Sequence, residues 1–172
     1  MLTPLLKSMG DVVLPQGKEA DVTLPHSPLT QSPARLIEVP HHSDGRGELC
    51  FLEAERTVPF PIKRIYYMHG TAQGANRGGH AHKEPEYLFI AIAGSFTLKL
   101  TDTVVTQAFT LNTPNQAVYV PQGVWRDVTE MSADAVCMVL CSGYYDEADY
   151  IRDWDDDTAY IEARFATPVQ SR

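Results

Sequence analysis

The sequence predicts an all-β domain, a closed barrel or jelly roll of short strands with one short helix near the C-terminus. Three observations carry this. From residue 34 onward the chain breaks into apolar runs of five to eight residues, rich in the β-branched and aromatic side chains that suit a pleated, half-buried surface. Glycine, proline, asparagine and aspartate punctuate the breaks, each favouring a turn for its own steric reason. No stretch before Asp146 sustains the 3.6-residue period of an amphipathic helix.

Residues 1–34 hold Pro4, Pro15, Pro25, Pro28 and Pro33 among Ser, Thr and Gln, without apolar periodicity, and read as a mobile or loosely docked arm that catalysis does not need. The folded domain is expected over 35–172. Candidate strands follow at 35–39, 49–53, 62–68, 87–93, 95–100, 104–111, 116–120 and 135–141. Gly94 reads as a hairpin turn between two of them, and Pro121, which cannot donate to a ladder, ends another with Gln122 and Gly123. A helix is expected after Asp146, where Asp146, Glu147 and Asp149 precede Tyr150 and Ile151 and so match the helix dipole. Eight of the 22 acidic residues lie between Asp146 and Glu162, and they read as a solvated face.

With 172 residues, 44% of them apolar, the chain can bury one core, which favours a single domain. A formal net charge of -8 argues against an extended basic surface for nucleic acid. The three cysteines, Cys50, Cys137 and Cys141, form neither a CxxC pair nor an even set, so a reducing cytoplasm is expected. No run approaches the ~20 apolar residues needed to cross a bilayer, and no signal-peptide pattern opens the chain.

The chemistry concentrates in residues 77–86. His80 and His82 stand two apart, and period two places both imidazoles on one face of a strand, where either can exchange a proton near neutrality. Lys63, Arg64, Arg77 and Lys83 fall between Phe60 and Glu84 with no carboxylate among them, a local basic patch in an acidic chain. Arginine forks suit phosphate, so Arg64, Arg77 and Lys83 are expected to meet an anionic substrate. Alternation over 62–68 sets Tyr66 beside Arg64, and Tyr66 is the tyrosine expected to face the site. Tyr119 and Trp125 flank the turn at Pro121 and are candidate aromatic walls of the site.

His80, His82 and Glu86, downstream of Gly74, resemble the first metal-binding motif of the cupins, HxH with a glutamate four residues on. The second cupin motif ends in histidine, whereas the frame Pro121-Gln122-Gly123-Val124-Trp125-Arg126 ends in Arg126, which cannot ligate a cation. The three remaining ligands keep open a rival reading, a metal-dependent cupin enzyme.

Three blocks, at 61–67, 77–83 and 142–152, resemble the dTDP-4-dehydro-6-deoxyglucose 3,4-ketoisomerases, WxcM-like cupins of the FdtA/QdtA type, over residues 37–165. The resemblance implies an RmlC-like cupin barrel and a homodimer whose N-terminal strands cross to the partner. It also implies a cofactor-free site with no metal, and a place in the synthesis of 3-amino-3,6-dideoxyhexoses for surface polysaccharides. By the same resemblance His80 is the base at sugar C3, His82 and Tyr66 assist near O4 and C4, and Arg64 and Arg77 face the ligand. Arg46 resembles the galacto-forming subgroup and Arg126 the gluco-forming one, which leaves the C4 configuration of the product open. Tyr87 and Pro85 depart from the family pattern, and the arm has no counterpart in it. A non-catalytic sugar-nucleotide-binding cupin is the other alternative.

Overall fold

The computed structural model describes residues 27–165. A short helix α1 (Pro28–Gln31) leads into β1 (Arg35–Glu38), the hairpin β2 (His41–Asp44) and β3 (Gly47–Cys50), then β4 (Arg64–His69), β5 (Arg77–His82) and β6 (Tyr87–Ala93). There follow β7 (Phe96–Thr101), β8 (Thr106–Leu111), β9 (Gln116–Val120), β10 (Trp125–Thr129), β11 (Val136–Cys141), a 3-10 turn at Glu147–Asp149, β12 (Tyr150–Ile151) and α2 (Trp154–Phe165). Two five-stranded antiparallel sheets form, in the orders β1-β9-β6-β11-β4 and β12-β5-β10-β7-β8. Among the described residues they stay separate sheets, so the fold is a two-sheet jelly roll with the β2–β3 hairpin outside it.

The core lies between the sheets. β7 alternates cleanly, sending Phe96, Leu98 and Leu100 inward against Leu111 of β8 and Val128 of β10. β6 is apolar on both faces. Tyr87, Phe89 and Ala91 enter the inter-sheet core, while Leu88 and Ile90 turn outward to a second cluster with Val39, Phe60 and Tyr119. This is why its sequence reads as a continuous run: a strand covered on two sides loses the alternation of a half-buried one.

The expected strand bounds hold to within a residue or two at most positions, and 87–93 and 116–120 coincide with β6 and β9. Gly94 takes φ 61° at the β6–β7 turn. Four strands were not expected from the alternation of apolar residues: β2, β5, β10 and β12. The expected helix start is corrected as well. Tyr150 and Ile151 pair with His82 and Ala81 of β5, and the helix begins only at Trp154, capped by Asp153 Oδ1, which accepts from the Asp155 and Asp156 amides.

Ser27 to Ala34, assigned to the arm from sequence, are packed. Ser27 and Thr30 form a capping box on α1, Leu29 and Ala34 are buried, and the Leu29 amide donates to Asp102 Oδ2 at 2.9 Å. The rest of the arm, residues 1–26, and the tail 166–172 lie outside the described residues.

Candidate active site

A cavity of about 270 Å³ opens between the sheets. β4 supplies Arg64, Tyr66 and Met68, the expected alternation, while Ile65 and Tyr67 face outward. β5 supplies Gly78 and His80, β10 supplies Arg126 and Val128, and Tyr145 and Tyr150 border the mouth.

β5 and β10 are joined through a bulge. Arg126 pairs with His80 and Asp127 with Gly78, so Gly79 is an extra residue on β5. Gly78 has φ 91°, and a Cβ there would stand 2.5 Å from the Arg126 carbonyl oxygen. Only glycine lets the two backbones meet at the point where they deliver His80 and Arg126 to one cavity.

Nδ1 of His80 lies 2.9 Å from the Gly78 carbonyl. A carbonyl only accepts, so Nδ1 carries the proton and Nε2 keeps its lone pair. Burial, reinforced by the Arg126 charge, pushes the His80 pKa down to about 4, so the ring is neutral at pH 7 and can take a proton. Nδ1 of His82 lies 2.6 Å from Asp149 Oδ2, and Asp149 Oδ1 accepts from the Glu84 amide. Burial and the Arg126 charge hold His82 far below its ordinary pKa, so the pair is a neutral imidazole donating to a carboxylate. Burial pushes Tyr66 up to about 12 and keeps its phenol a proton donor.

Arg126 is 2% exposed, and its guanidinium carbon stands 4.0 Å from the Tyr87 ring centroid. None of its three nitrogens has an acceptor among the described residues. A buried cation with all donors free is poised for an anionic or carbonyl oxygen brought by a ligand. Arg64 lies 5.4 Å from the Tyr66 ring centroid and 5.7 Å from that of Tyr145.

The structure therefore brings together His80, Tyr66, Arg64 and Arg126. It does not bring in the others. His82 is one ring behind the wall, its centroid 4.9 Å from that of His80, and it does not line the cavity. Arg77 is exposed at the outer end of β5, sharing a face with its partner Val128. Lys83 is turned away, its Nζ donating to the Ala148 carbonyl. Tyr119 belongs to the outward-facing cluster, under the Arg35 guanidinium and bonded to Glu86. Trp125 packs edge-on against Trp154. Arg46 sits at the β2–β3 tip, paired with Asp44 at 2.5 Å and far from burial. Because the Glu86 carboxylate is committed to Tyr119, it does not converge with the two histidines, and no His, Cys, Asp or Glu cluster fit for a metal occurs among the described residues.

Sequence reasoning missed Tyr145, Tyr150 and Asp149, because the acidic run that holds two of them reads as surface. Asp149, bonded to the buried His82, and Asp157, fully buried, contradict that reading. Tyr145 beside Asp146 and Tyr150 beside Asp149 carried no distinguishing signal.

The architecture is that of the cupins, and the pocket is one built to move protons. Residues 32–162 match the family described as FdtA: WxcM-like, C-terminal, and the chain belongs to it. The chain is 42% identical over 118 residues to the TDP-4-oxo-6-deoxy-alpha-D-glucose-3,4-oxoisomerase of Aneurinibacillus thermoaerophilus, a span of 69% of this chain and 85% of that one. It is similar to a 3,4-ketoisomerase from Helicobacter canadensis, at TM-score 0.73 and 36% identity over 75% of this chain and 97% of that one. It also resembles the 3,4-ketoisomerase QdtA of Thermoanaerobacterium thermosaccharolyticum, in a structure with TDP-4-keto-6-deoxyglucose, at TM-score 0.74 and 32% identity over 77% of this chain and 96% of that one.

Proposed function

We infer that the chain is a TDP-sugar 3,4-ketoisomerase, acting on TDP-4-keto-6-deoxyglucose. The observation that carries the reading is the neutral His80, its Nε2 bare, facing a cavity walled by two guanidinium groups and a protonated phenol.

His80 removes the proton from C3, which the neighbouring C4 carbonyl acidifies. The electrons move to O4, giving an enediolate whose charge falls to Arg126, with Arg64 on the opposite wall. Tyr66 gives a proton toward O4. The Tyr66 phenolate then takes the O3 proton and protonated His80 gives its proton to C4, which leaves a ketone at C3, restores both side chains and involves no net redox change. Positioned proton transfer contributes about 10²- to 10⁴-fold, and donors aimed at the oxyanion a comparable factor. His82, held by Asp149, acts through His80 and Tyr150, whose rings it contacts.

The same reading takes a second copy of this chain as partner. The outer face of the first sheet shows Ile65, Tyr67 and Ile92 at 57, 66 and 44% exposure beside an apolar groove that runs along Val39, Phe51, Ile62 and Met138. The β2–β3 hairpin, exposed along nearly all of its length, supports this reading, in which Arg46 at its tip reaches the partner. Three free thiols suit the cytoplasmic location proposed with it, and a supply of 3-keto sugar for amino-sugar and surface-glycan synthesis completes the reading.

Proton NMR of TDP-4-keto-6-deoxyglucose with the metal-stripped protein in deuterated water tests it. New 3-keto signals with deuterium at the exchanged carbons are expected, and their couplings report the C4 configuration. An unchanged spectrum from folded protein sinks the reading in favour of simple binding.

A further inference from the structure

The first turn of α2 carries a carboxylate that the proposed chemistry leaves unused. Asp157 is 0% exposed, and neither of its oxygens has a donor among the described residues. Arg126 has the complementary defect, a buried guanidinium with no acceptor. Burying an ion is costly unless an opposite charge offsets it, so two such groups within electrostatic reach are best understood as one device. Arg126 pairs with Leu100 of β7, two residues before Asp102, and burial opposes the ionised form of Asp157 most strongly, while the Arg126 charge favours it and that of Asp102 opposes it.

The neighbouring acids are already committed. Asp102 accepts from the Leu29, Val104 and Val105 amides, at 2.9, 2.8 and 2.7 Å. Asp149 holds His82 and the Glu84 amide. Asp157 is the acid of this corner whose oxygens are free. We propose that Asp157 is the counter-charge of Arg126, a positioning residue that sets how strongly this guanidinium stabilises the anion formed in the pocket.

The proposal rests on the ketoisomerase reading for its kinetic consequence only. The Asp157 carboxyl is pushed up to about 7, so its charge changes close to neutrality, whereas His80 and Tyr66 titrate far to either side. Below the midpoint Arg126 acts unopposed. Above it the carboxylate draws part of that charge away from the substrate. Removing a whole oxyanion donor costs ~10²- to 10³-fold, so partial neutralisation is expected to lower kcat by about tenfold or less.

The experiment is the pH profile of kcat from pH 5.5 to 8.5 for the wild type and Asp157→Asn. The wild type is expected to show a fall centred near neutrality, and the variant to run flat at the low-pH level. Superimposable profiles from two folded proteins, whatever the change in Tm, overturn the proposal. The second measurement uses no substrate: ¹³C NMR of aspartate carboxyls in the wild type and in Arg126→Gln. One carboxyl titrating near pH 7, and moving higher once the cation is gone, is expected even if the protein isomerises nothing. If every carboxyl titrates below about pH 5, or if the high one is indifferent to Arg126, the pairing is wrong.

Discussion

His82 Nδ1 and Asp149 Oδ2, 67 residues apart in sequence, meet at 2.6 Å and tie β5 to the turn before β12. The contact fixes which nitrogen of the ring is protonated, and it does so behind the residue that faces the cavity. Asp149→Asn would present either a donor to a donor or a weaker acceptor, and kcat is expected to fall about 10- to 100-fold with TDP affinity little changed. Steady-state kinetics beside a TDP titration check this, and an unaltered kcat would show the pair to be purely structural.

His80→Asn keeps a hydrogen-bonding side chain at the cavity wall and removes the group that can accept the proton. Turnover is expected to drop by at least ~10²-fold, with the TDP affinity and Tm of the wild type retained. Deuterium uptake into the substrate is the direct readout, and uptake at the wild-type rate would remove His80 from the role of base.

Gly78 and Gly79 both have positive φ, yet they differ in what surrounds them. Alanine at 79 meets open space apart from Asp127 Oδ1 at 4.0 Å, and carries only the left-handed backbone cost of about 1–2 kcal/mol. Alanine at 78 adds a clash with the β10 backbone, so Gly78→Ala is expected to be the more destabilising by about 1–3 kcal/mol. Urea unfolding of the two variants decides the order.

Asp157 also bears on stability. A carboxyl raised from 3.8 to about 7 binds its proton more tightly in the folded state, so the stability it contributes is full below about pH 4 and is lost as pH rises through 7. Asp157→Asn, uncharged throughout, is therefore expected to gain on the wild type between pH 5 and pH 8, by on the order of a few kcal/mol. Thermal melts at the two pH values test the sign, and a gap that stays constant would contradict it.

Ile65→Glu and Tyr67→Glu place charges on the apolar outer face of the first sheet. Sedimentation equilibrium at micromolar concentration is expected to show weaker self-association than for the wild type. A wild-type protein that sediments as a monomer would remove the proposed partner.

Much of this was legible in the sequence because period-two patterning survives wherever one face of a strand is dry and the other wet. It put Tyr66 and Arg64 on one face of β4, and the structure has them there. The signal failed where side chains are chosen for chemistry. β5, built from Arg, Gly and His, has no apolar alternation to read, and Tyr150-Ile151 resembles a helix start until its pairing with β5 is seen. Charge misled in the same way: an acidic run suggests solvent, and nothing local reveals that Asp149 is turned inward to an imidazole and that Asp157 is fully buried. The spread of Arg46, Tyr119 and Trp125 away from the cavity is a matter of three-dimensional register that spacing alone does not encode.

The extra residue at Gly79 acts on β5 as a change of phase. In an unbroken strand, counting back by twos from His80 would put Gly78 on the His80 face and Arg77 on the opposite one. The bulge instead gives Arg77 the same side as Val128, at the rim. One inserted glycine thus decides on which side of the sheet the Arg77 cation stands. Deleting it would keep every side chain the pocket uses downstream of the insertion, yet swing that cation round to the outside of the sheet.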